Sequence, residues 1–158
     1  MKPRIDVFRV APRGLQAMLD FQSHVNGFGL ESSLIELVKM RASQINGCAY
    51  CLDMHSKDAR AHGETEQRLY LLDAWREAPF YTDRERAALA WTEAVTRISD
   101  HRTTDALYAA TREHFSEEEL VGLTLAIVAI NGWNRVAISL GTDVGSYRPG
   151  AGNRVKAA

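Results

Sequence analysis

The sequence predicts an all-α fold of about six or seven helices in a single domain. Three observations predict it: apolar residues recur at three- and four-residue spacing along most of the chain, start and stop signals bound each such stretch, and no segment keeps the two-residue period of a strand. With 158 residues and 46% hydrophobic content, the chain can bury a core without disulfide or metal staples.

Pro12-Arg13-Gly14 opens an amphipathic helix over about 15–25, and Asn26-Gly27 stops it. Ser32 or Ser33 caps a second helix, which carries Ile35, Val38, Ala42 and Ile45 on one stripe and ends at Asn46-Gly47. A third runs over about 48–62, with Gly63 placed to close it in the left-handed conformation. Thr65 caps a fourth that ends before Pro79. Thr82-Asp83-Arg84-Glu85 has the capping-box form and opens a helix through about Ile98; Ser116-Glu117-Glu118-Glu119 repeats it ahead of a long apolar helix from Glu117 to about Leu140. Thr104 caps a shorter helix between these two.

Residues 1–144 form the predicted domain, and the Gly-, Pro- and Arg-containing segment 145–158 lacks periodicity and is expected to be loosely ordered or used in subunit contacts. Trp75, Trp91 and Trp133 all fall in predicted helices and read as core anchors. Asn131 and Asn134 are polar intrusions in the last helix, expected to satisfy buried backbone or subunit contacts. His24, His62, His101 and His114 have no partner at an informative spacing and read as surface or helix-end residues.

Nineteen basic residues balance 20 acidic ones to a formal charge of -1, and no segment concentrates Lys or Arg, which argues against nucleic acid as a partner. The charged, proline-containing start does not read as a secretory signal, and the apolar run from Leu120 to Ile130 is short of the ~20 residues a bilayer requires. A soluble, cytoplasmic protein with no membrane partner is expected.

Both cysteines, Cys48 and Cys51, sit in one motif, Cys48-x-x-Cys51-x-x-x-His55, and in a reducing compartment such a pair points to redox chemistry or metal binding before a permanent cross-link. At ~100° per residue the three side chains fall within about 60° of one another on a helix. Just after Asn46-Gly47 the two sulfurs lie in the first helical turn, where free N–H groups and the positive dipole end favour a thiolate. His55, one turn beyond Cys51, can exchange a proton with that sulfur, which makes Cys51 the better attacking thiolate and Cys48 the sulfur that closes a disulfide on it. A closed zinc site lacks a fourth ligand, a thioredoxin-like site lacks its strands, and two inert buried thiols remain as the bland alternative. Glu36 is open between two readings: a base or orienting group for the cluster, or a surface charge paired with Lys39 or Arg41.

The stretch Glu36-Leu-Val-Lys-Met-Arg-Ala-Ser-Gln-Ile-Asn-Gly-Cys48-Ala-Tyr-Cys51-Leu-Asp-Met-His55 closely resembles the core motif of AhpD-like alkylhydroperoxidases, within the carboxymuconolactone decarboxylase superfamily. The likeness continues through Glu66 to Glu77, Glu85 to Glu93 and Ala129 to Arg135, and so spans most of the chain. It implies an all-helical domain assembled as a trimer or hexamer, with each site near a subunit interface. It also implies Cys51 as the peroxide-attacking sulfur, Cys48 as the resolving one, and Glu36 with His55 as proton relay. One departure bears on peroxidase efficiency: Tyr50 stands where the best-known peroxidases of the family carry a histidine.

The expected activity is reduction of an organic peroxide or hydrogen peroxide, with an external dithiol or protein reductant and no haem, flavin or metal. Two alternatives stand beside it: a thiol-disulfide partner or sensor with little turnover, and a cofactor-free decarboxylase or isomerase of small lactones.

Overall fold

The computed structural model describes residues 3–100 and 102–150. Among them there are eight α-helices and no strand: α1 (Val7–Val10), α2 (Pro12–Val25), α3 (Ser32–Asn46), α4 (Ala49–Ala61), α5 (Glu66–Tyr70), α6 (Asp83–Thr96), α7 (Asp105–Arg112) and α8 (Glu117–Leu140). The all-α expectation holds, with one helix more than the sequence indicates. That helix, α1, is a single turn capped by the Asp6 side chain on Arg9 N–H, too short to display a period.

Both predicted capping boxes form: Thr82 with Glu85 starts α6, and Ser116 with Glu119 starts α8. Thr104 and Thr65 cap α7 and α5 through their hydroxyls. The helix begun at Thr65 is not continuous to Pro79, however. It breaks after Tyr70 into a 3-10 turn, Leu72–Ala74, which leaves Trp75 in a turn rather than a helix. Leu69, Leu72 and Trp75 are all buried at a spacing of three, and three residues per turn is the 3-10 period that keeps them on one face.

Helix α3 is the centre of the fold and packs against α4, α6 and α8. Leu37 and Met40 on one side join Leu72, Trp75 and Leu89 in one core; Leu34 and Val38 on another join Trp91, Leu123 and Ile127 in a second. Each fully buried Leu or Ile contributes roughly 1.5–3 kcal/mol. Arg41 is buried too, and its guanidinium meets Glu93 of α6 at 2.8 Å. Glu93 also accepts the Trp75 indole N–H at 2.9 Å, which pins the 3-10 segment to the core.

Helix α8 is long and apolar enough, by length and composition, to cross a membrane. Its buried residues pack against α2, α3 and α6 as those of a core helix do. Asn131 and Asn134 do not serve mainly backbone groups: Asn46 of α3 donates to the side-chain oxygens of both, at 2.9 and 2.8 Å, and Asn134 donates to Ser43 at 3.1 Å. This side-chain ladder bolts the end of α3 to α8. The segment expected to be loose is fastened at its start: Gly145 N–H donates to Asp53, Lys57 donates to the Tyr147 carbonyl, and the Tyr147 hydroxyl donates to Asp58. Residues 151–158 of that tail, and His101, lie outside the described residues. His24 and His62 are exposed and His114 is half-buried.

Candidate active site

The site is built where α3 ends and α4 begins. Gly47 adopts φ +69°, the left-handed conformation that a side chain disfavours, and the chain turns there. Gly47 N–H donates to Gln44 C=O and Cys48 N–H to Ser43 C=O, the paired bonds of a Schellman closure. Cys48 therefore ends α3 and is also the N-cap of α4, its sulfur accepting the Cys51 N–H at 3.4 Å. The sequence placed both cysteines within the first turn; the structure puts Cys48 just outside it.

Cys48 and Cys51 are joined as a disulfide, with Cα atoms 5.4 Å apart, within the usual range. The two sulfurs have different surroundings. Both residues are buried in a small cluster with Ala42 and Ile130, yet only Cys51 lines a cavity of about 240 Å³. Val7 and Phe8 of α1, Leu15 and Leu19 of α2, and Trp133 of α8 help to wall this largely apolar chamber. Trp133, expected as a core anchor, is half-buried and faces the cavity, whereas Trp75 and Trp91 are buried in the core.

His55 lines the same cavity, buried one turn beyond Cys51. Its Nδ1 lies 2.8 Å from Glu36 Oε2, so the helices do fold back as the Asn46-Gly47 turn allows. Glu36 Oε1 accepts from Lys39 at 2.9 Å. Glu36 thus contacts both Lys39 and the histidine, and its side chain, 13% exposed, is not the surface charge of the alternative reading. Arg41, the other partner considered, is directed instead into the core toward Glu93 and Asp73.

Burial pushes the Glu36 carboxyl up, but the hydrogen bond and charge of His55, with those of Lys39, outweigh it and bring the carboxyl down to about 2. Glu36 is therefore an anion at neutral pH. An anion at Nδ1 keeps a proton on that nitrogen, so Nε2 is the nitrogen that can exchange one. This is the arrangement of a general base held by a carboxylate.

Tyr50 also lines the cavity. Burial, with Asp53 and Asp58 nearby, pushes its phenol up, so it is a neutral hydroxyl and not a base at physiological pH. The sequence reading missed Lys39 as a site member, Asp58 and Tyr147. Glu36, His55 and Asp58 each bring an oxygen or nitrogen within 4.8 Å of the others, a grouping that could hold a cation, though Lys39 already sits on Glu36 and Tyr147 on Asp58. Asp58 follows His55 by three residues on α4, a spacing that could have revealed it; Tyr147 carries no such signal.

Comparison with known proteins agrees with this architecture. The chain is 44% identical over 146 residues to the uncharacterised protein YdfG of Bacillus subtilis, an alignment that covers 92% of this chain and 99% of that one. A crystal structure of a protein of unknown function from Agrobacterium tumefaciens, described as a candidate antioxidant defence protein AhpD, is 43% identical and superposes with a TM-score of 0.89 over 92% of this chain and 100% of that chain. A peroxidase-related protein from Ralstonia eutropha, described as an alkylhydroperoxidase AhpD core, is 22% identical with a TM-score of 0.77 over 89% of this chain and 75% of that one, a likeness of fold alone. The model of the carboxymuconolactone decarboxylase family matches residues 12–94, the span that contains Glu36, both cysteines and His55. The chain belongs to the carboxymuconolactone decarboxylase family, as an AhpD-like member of it.

Proposed function

We propose that the chain is a thiol-dependent hydroperoxide reductase of antioxidant defence that cycles Cys51 and Cys48 between dithiol and disulfide. The observation that carries this reading is the asymmetry of the pair: Cys51 opens on an apolar cavity beside His55, while Cys48 is bonded to it from behind. Family membership and the likeness to the candidate antioxidant protein of Agrobacterium tumefaciens support it.

In the reduced protein, His55, held by Glu36, takes the Cys51 proton. The thiolate attacks the terminal peroxide oxygen; the O–O bond breaks, the alkoxide leaves with the proton returned by the imidazolium, and Cys51 becomes a sulfenic acid. Cys48 then attacks that sulfur, forming the disulfide and releasing water. An external dithiol or protein reductant restores both thiols through a mixed disulfide. The cycle draws on no haem, flavin or metal. We assign the protein to the cytoplasm, where reductant is at hand, as a trimer or hexamer after its family.

The test is consumption of an organic hydroperoxide with excess dithiothreitol. Saturable turnover that disappears in Cys51→Ser supports the reductase. A single stoichiometric oxidation without turnover makes the protein a sensor or thiol-disulfide partner. Lactone decarboxylation that survives replacement of both cysteines rejects the thiol chemistry.

A further inference from the structure

Asp58 lies one turn beyond His55 on α4, and its carboxylate comes within 4.8 Å of both His55 and Glu36. It is fixed there from outside the helix. The segment after α8 crosses α4, where Gly145 N–H donates to Asp53 at 3.2 Å and the Tyr147 hydroxyl donates to Asp58 at 2.7 Å. Lys57, paired with Asp53 at 2.8 Å, holds the carbonyls of Gly145 and Tyr147 at 3.4 and 3.3 Å. Earlier in the same segment, Thr142 is part of the cavity wall. One stretch of chain therefore touches both the chamber and the groups around its base.

We infer that Asp58, held by the Tyr147 hydroxyl, is a second positioning carboxylate of the relay, which with Glu36 stabilises the His55 imidazolium formed as Cys51 gives up its proton. This rests on the reductase reading for its purpose, but the thiol ionisation it describes can be measured without any peroxide. The sign follows from distance. Asp58 attracts the imidazolium at under 5 Å, whereas it repels the Cys51 thiolate from seven residues away, about 10 Å along the helix. Coulomb energy falls as the inverse of distance, so attraction exceeds repulsion roughly twofold.

The other ionisable groups around this locus are Glu36 and Lys39 from α3, Tyr50, Asp53 and Lys57 from α4 and Tyr147 from the crossing segment, and His62, Glu64, Arg68 and Glu85 line a cleft beside Glu36. Lys57 is paired with Asp53, and Arg68 with Glu64 and Glu85. Burial, followed by Asp58 as acceptor, pushes the Tyr147 phenol up, so it stays a hydrogen-bond donor throughout the neutral range. Without that hydroxyl the carboxylate turns to water, where its field on His55 is screened.

The experiment follows iodoacetamide alkylation of reduced Cys51 in a Cys48→Ser background from about pH 5 to about pH 9, where the rate reports the thiolate fraction. Asp58→Asn is expected to move the midpoint up by about one pH unit and to slow alkylation at neutral pH roughly three- to tenfold, with Asp58→Glu restoring the profile. Tyr147→Phe should shift it the same way by less and add nothing to Asp58→Asn. An unmoved midpoint in Asp58→Asn, or full additivity of the two changes, overturns the inference. If Asp58→Asn does not fold, Tyr147→Phe alone decides, by whether the midpoint rises or stays. Absence of peroxide turnover by the wild type with these shifts intact would reject the reductase and leave the relay standing.

Discussion

Glu36 Oε2 stands 2.8 Å from Nδ1 of His55, across the turn that joins α3 to α4. The pair is 19 residues apart in the chain and touches only because Gly47 reverses the direction of the backbone. Its consequences for reactivity and for stability can be separated by experiment.

Glu36→Gln keeps the shape of the side chain and removes the charge that fixes the His55 tautomer. General-base assistance of this kind is worth on the order of 10²–10⁴ in rate, and an amide retains part of the orientation. Peroxide-driven oxidation of the reduced protein, followed by stopped-flow fluorescence, should slow by roughly 10- to 100-fold at neutral pH.

The same carboxylate links stability to pH. Its value falls from 4.5 in the free side chain to about 2 in the fold, so its stabilisation is present above about 4.5 and lost as pH falls through about 2. Urea unfolding of wild type and Glu36→Gln should differ by about 2–3 kcal/mol at neutral pH and converge near pH 2. A constant difference across that range would show that the charge is not responsible.

Asn134 is fully buried between α3 and α8, and its replacement by alanine removes the donor to buried Ser43 and leaves Asn46 with Asn131 alone. Loss of about 1–3 kcal/mol in denaturant unfolding is expected, from the desolvated groups left unpaired. Because Asn46 precedes Gly47, the variant should also loosen the Cys48 turn, seen as faster hydrogen exchange at that amide.

Ala137 lies at the wall of the cavity that Cys51 opens on. It also packs against the cluster that holds both cysteines, so Ala137→Phe narrows the chamber beside the sulfurs. The KM for a branched aromatic hydroperoxide should rise several-fold more than that for hydrogen peroxide, and equal changes for the two substrates would show that the cavity does not select by size.

Much of this was legible in the residues. The two capping boxes and the Asn46-Gly47 stop carry local hydrogen-bond chemistry, so they mark α6, α8 and the end of α3 without tertiary information. The spacing of Cys51 and His55 gave their common face, since helical geometry alone decides it, whereas Cys48 is the N-cap and lies outside that geometry. What tertiary packing decides was not legible. The chain after Tyr70 follows the 3-10 period because Leu72 must reach the core under α3. Trp133 fronts a cavity because α1 and α2 leave space beside it. The partnership of Glu36 with both Lys39 and His55 depends on how two helices cross, and the docking of Tyr147 on Asp58 joins residues 89 positions apart with no periodic trace.

The central claim is the division of labour between the two sulfurs, and mass spectrometry after one equivalent of hydroperoxide tests it directly. In reduced Cys48→Ser a single added oxygen should appear on Cys51 and be trapped by dimedone, while Cys51→Ser reacts slowly and leaves Cys48 unmodified. Rapid oxidation of Cys48 in Cys51→Ser, with Cys51 inert in the reciprocal variant, would contradict the account.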